Sequence, residues 1–181
     1  MKLSLVGASL AAMLTLPSVV FAQGQAVSVG FSGGASLPVG NLKDVADVGY
    51  SVAGHVYLRP QAVKAFMFRG DVTYDSWNGT GTTSKLNSLG VIANVLFPLT
   101  DDNAGIRPYL VGGAGLYRFG STVKVGTLEI SNTVNKFGVQ GGAGLEFKLA
   151  GMSTFLEGKY VNVFNDGRST SYIPVTFGVR F

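Results

Sequence analysis

Beyond residue 22 the chain alternates apolar and polar residues, position by position, in segments of about ten residues. "KFGVQGGAGLEFKL" shows the pattern. Phe137, Val139, Ala143, Leu145, Phe147 and Leu149 fall on one side, and Lys136, Gln140, Glu146 and Lys148 on the other. The last residues, "SYIPVTFGVRF", repeat it, with Ile173, Val175, Phe177, Val179 and Phe181 alternating with Pro174, Thr176, Gly178 and Arg180. A period of two is the period of a strand, because successive side chains point to opposite faces. Each such strand therefore separates two different media.

Composition says which media. Hydrophobic residues make up 46% of the 181 residues and charged residues only 13%, about half the usual quarter. The polar side of the strands is mostly small or uncharged, whereas a water-facing side carries Lys, Glu and Asp. A soluble β-sandwich or a lipocalin-like barrel would alternate too, but with a more charged outer side. The net charge of +4 is not gathered into a basic stretch, so nucleic acid is not expected as a partner. With no cysteine, neither a disulfide framework nor a thiolate metal site is available.

The first residues, "MKLSLVGASLAAMLTLPSVVFA", read as a secretory signal peptide: Lys2, an apolar run from Leu3 to about Leu16, and small residues before a cleavage point between Ala22 and Gln23. The rival reading, an N-terminal membrane anchor, is disfavoured by the short run. After Gln23 no segment approaches the roughly 20 apolar residues of a membrane helix. An exported, apolar, charge-poor chain without such helices is expected to cross a membrane by strands. The expected organisation is a signal peptide over 1–22 and one barrel domain over 23–181.

Eight alternating segments can be counted, an even number as bacterial single-chain barrels require. Besides the two above, they are "AVSVGFSGGASLP", "GYSVAGHVYL", "AFMFRGDVTYD", "NSLGVIANVLFP", "RPYLVGGAGLYRF" and "STFLEGKYV". The connections alternate between longer and shorter, the longest being Gly120 to Asn135. The expected fold class is all-β: an eight-stranded antiparallel up-and-down transmembrane β-barrel. Aromatic residues near strand ends (Phe66, Tyr74, Phe97, Tyr109, Tyr117, Phe147, Tyr160) fit interfacial girdles. Strand 107–119 is ambiguous, since Tyr109, Val111 and Tyr117 compete with Leu110, Ala114 and Leu116 for the outer face. The tyrosine set is favoured, because it turns Arg118 inward.

On this parity nine charged residues face the interior: Arg69, Asp71, Arg118, Lys136, Glu146, Lys148, Glu157, Lys159 and Arg180. At mid-membrane on the lipid face an Arg or Lys would cost roughly 2–4 kcal/mol, so these charges help to fix the register. Inside they need partners. Glu146 and Glu157 can pair with Lys148, Lys159 and Arg180, and Asp71 with Arg69 or with strands two or four. Eight strands leave an interior just wide enough for side chains to fill, so a plugged, ion-paired core is expected, with a narrow or gated path for ions or small solutes as the alternative.

"RPYLVGGAGLY", "GGAGLEFKL", "FLEGKY" and the terminal "VTFGVRF", in that order behind a signal peptide, resemble the small outer-membrane β-barrel superfamily, the OmpA- and OmpX-type barrels. The resemblance spans about Ala26 to Phe181. It implies location in the cell outer membrane, and contact with outer-membrane lipid and lipopolysaccharide. It also implies periplasmic chaperones and an outer-membrane assembly machinery as biogenesis partners, a monomer, and no cofactor. It further implies that Ile173, Val175, Phe177, Val179 and Phe181 form a C-terminal assembly signal. Unlike the OmpA type, the chain is expected to carry no C-terminal peptidoglycan-binding domain.

Three functions follow: a structural or surface-interaction barrel, a membrane enzyme, or a channel. Catalysis would need a nucleophile and base at the outer rim. His55 is the lone histidine and falls inside strand two, as a satisfied interior residue. Asp75, Ser76 and Asp166 near the rim have no histidine beside them, so no enzyme is expected. No metal, phosphate-loop or nucleotide motif is present, and "GGAG", which occurs twice, reads as strand glycine. Trp77, in "DSWNGTGTTSK", is expected as an interfacial anchor, with partner contact as the alternative.

Overall fold

A computed structural model describes residues 25–60, 65–81, 84–101, 104–125, 128–149, 152–165 and 168–181. The proposed signal peptide and its Ala22–Gln23 cleavage point lie outside these residues. Eight strands follow one another: β1 (Gln25–Val39), β2 (Gly49–Pro60), β3 (Met67–Asn78), β4 (Lys85–Pro98), β5 (Ile106–Val125), β6 (Leu128–Leu149), β7 (Met152–Asn165) and β8 (Arg168–Arg180). Each is hydrogen-bonded to the next, and β8 pairs back onto β1, closing the barrel. Every pairing is antiparallel. Closure is zipped to the last residue, where the Phe181 N–H donates to the Val29 carbonyl at 2.8 Å. A closed ring leaves no open edge, which is what hydrocarbon surroundings demand.

The register carries the alternation around the wall. Val72, Val91, Leu116 and Phe137 are side-by-side partners across β3 to β6, and all four are at least half exposed. Aromatic rings gather in two bands. Tyr50–Tyr74 and Phe137–Phe164 pairs lie toward the end that carries the Gly40–Asp44 segment, and Phe66–Phe97 and Phe147–Phe177 pairs toward the end that carries Phe181. These ends are called the loop end and the turn end below.

Three expectations are corrected. First, Tyr109, Val111 and Tyr117 point inward and are buried, while Leu110, Leu116 and Arg118 are on the exposed outer side. Arg118 is therefore not an interior charge, and Tyr109 and Tyr117 are not girdle residues. The reason lies on the neighbouring strand. Gly144 and Gly138 of β6 leave no room for a Cβ because the rings of Tyr109 and Tyr117 cover them. The interior there is made of large rings laid over glycines. Second, Trp77 is neither anchor nor partner contact. It is 1% exposed, donates from Nε1 to the Ser36 carbonyl at 3.2 Å, and meets Tyr172 edge-on at 4.9 Å. With Tyr74 outward, a residue three places on must face inward if the strand continues, and β3 runs to Asn78. Third, the connection expected from Gly120 to Asn135 is largely paired backbone: the β5–β6 ladder extends from Phe119–Val134 to Val125–Leu128. The β7–β8 ladder likewise extends to Asn165–Arg168. Between β1 and β2 a short 3-10 helix, Gly40–Asp44, places Leu42 over the loop end of the lumen.

Candidate functional site: the lumen

The lumen is layered. Its centre is a cluster of charges drawn from opposite walls. Arg69 on β3 and Glu157 on β7 stand four strands apart in the eight-strand ring, and they meet as a two-pronged pair at 2.7 and 2.8 Å. The same guanidinium reaches Asp71, with Nη2 donating to Oδ2 at 3.0 Å and Nε 2.8 Å from Oδ1. Lys159 Nζ lies 3.2 Å from Glu157 and 3.6 Å from Asp71. The Tyr109 hydroxyl donates to Glu157 at 2.8 Å. Asn94 donates to Asp71 at 2.9 Å and accepts from Gln140 at 2.5 Å. Gly113, between Asn94 and Gln140 in register, has no room for a Cβ because the Asn94 side chain occupies the space. All these charges are at least 95% buried. Planar, two-pronged arginine–carboxylate bonding suits such a site, because each buried charge must find its full set of partners.

One arm of the cluster has a catalytic order of groups. Ser32 Oγ lies 2.9 Å from His55 Nε2, and His55 Nδ1 lies 2.8 Å from Asp71 Oδ1. A carboxylate can only accept, so Nδ1 carries a proton toward Asp71, while Nε2 and the serine hydroxyl share the second bond. That is the connectivity of a nucleophile, a base and an orienting acid. Space is the missing part. The cavity beside Ser32, also lined by Ser51, Thr73, Asp75 and Lys159, has a volume of about 10 Å³, enough for one water. His55 is packed edge-on against Phe155 at 5.6 Å.

Toward the loop end the lumen is filled mainly by apolar side chains, with the buried hydroxyls of Ser36, Ser51 and Ser88 among them. Trp77, Tyr117, Tyr172, Ile92, Val161 and Val163 form one buried cluster, covered by Leu42 and Ala46. The buried carboxylate beside it, Asp75, accepts from the Tyr172 hydroxyl at 3.2 Å. Toward the turn end Glu146 accepts from Arg180 at 2.7 Å, from Arg107, and from Ser153 at 3.0 Å. Arg180 also lies over the Tyr57 ring at 5.3 Å.

The structure thus brings six of the nine expected interior charges into two clusters: Arg69, Asp71, Glu157 and Lys159 at the centre, Glu146 and Arg180 at the turn end. Lys136 is on the inward parity and half-buried, opposite Tyr117. Lys148 has the inward parity but is exposed at the turn-end rim. Arg118 faces out. Of the proposed terminal signal, Val175 and Phe177 are exposed on the outer wall, Ile173 and Val179 are half-buried, and Phe181 is 63% exposed at the rim. Sequence reasoning missed Arg107, Tyr109, Asn94 and Gln140 as partners. The polar parity marked Asn94 and Gln140 as inward, but nothing local says which walls meet across the axis. Among the described residues no group of His, Cys, Asp or Glu could hold a metal ion.

No protein-family model matches the sequence, and a comparison with curated proteins gives no match. Solved structures do match. Neisserial surface protein A (NspA) shares 19% identity at a TM-score of 0.59, with 87% of this chain and 98% of that one covered. The N-terminal β-barrel domain of Pseudomonas aeruginosa OprF shares 14% at 0.52, covering 88% and 100%. The outer membrane enzyme PagL shares 14% at 0.51, covering 86% and 99%. At these identities the likeness is one of fold. The chain has the fold of the small eight-stranded outer-membrane barrels.

Proposed function

We propose that this protein is an integral barrel of the cell outer membrane, exported through a cleaved signal peptide, with a plugged interior and a structural and surface-interaction role played through its loops. The carrying observation is the pairing of Arg69 with Glu157 across the full width of the lumen. The paired side chains there fill the lumen and leave a space of only about 10 Å³ beside them, and the apolar cluster under Leu42 adds a second obstruction. The expected neighbours are outer-membrane lipid and lipopolysaccharide, with assembly machinery and periplasmic chaperones acting on the terminal strand during biogenesis. The barrel is proposed to be a monomer without a cofactor.

Planar-bilayer recording of the purified barrel tests the closed interior: a flat trace is expected, and steady single-channel steps would overturn it. The same recording decides the alternative, a narrow or gated path, which gains some support from the small cavities on both sides of the central cluster.

The protein is proposed not to be an enzyme. Ser32, His55 and Asp71 are in hydrogen-bonding order, but a one-water cavity holds no ester or amide. A fluorophosphonate probe should leave Ser32 unlabelled in the folded barrel. Labelling that disappears in Ser32→Ala would sink this reading.

A further inference from the structure

Where the central cluster meets the packing of the loop end lies the cavity of about 10 Å³ lined by Ser32, Thr73, Asp75 and Lys159. Polar cavities of this size hold a single water, whereas apolar ones stay dry. Two polar atoms of this wall, Thr73 Oγ1 and Asp75 Oδ1, have no partner at hydrogen-bonding geometry among the described residues. Both side chains are deeply buried, Thr73 at 7% and Asp75 at 1% exposure. The hydroxyls of Ser51 and Ser36 also face the Asp75 carboxyl, and Tyr172 donates to its other oxygen. An orphaned buried polar atom is costly, and native interiors answer it with a protein partner or an ordered water.

The other two walls suit the same occupant. An ammonium carries three donors. Glu157 at 3.2 Å and Asp71 at 3.6 Å lie beside the Lys159 Nζ, and a third N–H can turn into the cavity. Ser32 Oγ is 2.9 Å from His55 Nε2. A hydroxyl bonded once can bond again, as acceptor when it donates to Nε2 and as donor when Nε2 donates to it. The wall thus presents one carboxylate oxygen, one ammonium and two hydroxyls. A cation there would meet Lys159 and an anion would meet Asp75, so a neutral molecule fits both. Water, with two donors and two acceptor sites, matches these four groups one for one.

We propose that this cavity is the binding site of one fixed internal water. The water donates to Asp75 Oδ1 and to one of the Thr73 and Ser32 hydroxyls, and it accepts from Lys159 Nζ and from the other hydroxyl. It joins the carboxylate of the loop half to the central charge cluster and to the Ser32–His55–Asp71 relay, so the two halves of the lumen share one hydrogen-bonded network. Thr73 is a positioning residue in this arrangement, acting on Asp75 and Lys159 through the water.

High-resolution diffraction from crystals of the full barrel should show one ordered water within hydrogen-bonding distance of Thr73 Oγ1, Asp75 Oδ1 and Lys159 Nζ. A cavity without such density, or side chains closed onto one another across it, would overturn the proposal. Urea unfolding in lipid gives a second reading. Thr73→Val keeps the shape of the side chain and removes its hydroxyl. Ala53 lines the same cavity, and the added methyls of Ala53→Val take the place of the water. Alone, Thr73→Val should lower the folding constant about fivefold, the worth of one hydrogen bond. With Ala53→Val already present the same change should lower it by less than about twofold, because the hydroxyl then has no water to hold. Equal losses in the two backgrounds would overturn the proposal as well. Heat-modifiable gel migration shows whether Ala53→Val folds, and if it does not, the diffraction result decides alone.

Discussion

Toward the loop end the lumen is filled by Trp77, Tyr117, Tyr172, Val161 and Val163, whereas toward the turn end it is lined by Arg107, Glu146 and Arg180 around an open cavity. The central cluster of Arg69, Glu157, Asp71 and Lys159 divides the two. The loop half is filled by packed side chains, with room for about one water beside Asp75, so it tolerates few charges; the described one at its core is Asp75, held by Tyr172. In the turn half water can enter, so Arg107, Arg180 and Glu146, each partly exposed, sit there without the full cost of burying a charge. Where a polar lumen side chain sits along the axis therefore decides how strictly it must be paired.

Removal of the shared carboxylates would sharpen that contrast most. Glu157→Ala leaves Arg69 and Lys159 buried without their main partner and should cost about 3–5 kcal/mol. Glu146→Ala, beside the open cavity, should cost about 1.5–3 kcal/mol, the range for losing hydrogen bonds to charged groups. Urea unfolding of the barrel in lipid measures both, and equal losses would remove the distinction between centre and mouth. Trp77→Ala tests the loop half. Loss of a buried indole should cost about 3–5 kcal/mol, and near-neutrality would mean that this half is not packed. On the outer wall, Val91→Arg should cost roughly 2–4 kcal/mol if the Val72–Val91–Leu116–Phe137 row lies at mid-membrane.

The alternation made the strand count, the antiparallel closure and most facings legible, because a one-residue slip would expose a whole set of side chains to the wrong medium. It failed where both sides of a strand are apolar. In "RPYLVGGAGLYRF" the tyrosines and the leucines are equally suited to lipid, and what decides is the glycines of β6, a neighbour that the local pattern cannot show. Trp77 failed for a related reason: its segment looked like loop, whereas β3 carries its parity to Asn78. Of the lumen, the local pairs were legible, including Asp71 with Arg69 and with strands two and four, and Glu146 with Arg180. The Arg69–Glu157 pair was not, since contact across a barrel axis has no signature along the chain. Neither was the Ser32–His55–Asp71 relay, whose members sit on three strands.

The smallest expected effect is the most discriminating for facing. Arg118 is exposed on the outer parity, beside Leu89 on β4 and Asn135 on β6 in register. It directly follows the inward-facing Tyr117 and stands one outward step beyond Leu116, where the apolar rows give way to Asn87, Asn135 and Thr133. At such a boundary a cation on the lipid face costs only about 0–1 kcal/mol, because its long stem lets the charge reach the headgroups. Arg118→Leu should therefore change stability by no more than about 1 kcal/mol in either direction. The inward facing predicts another outcome: loss of a lumen cation would strand its partner and cost about 3–5 kcal/mol. Urea midpoints of the two barrels separate these values, and a large loss would return the tyrosines of β5 to the outer wall and undo the packing described for the loop half.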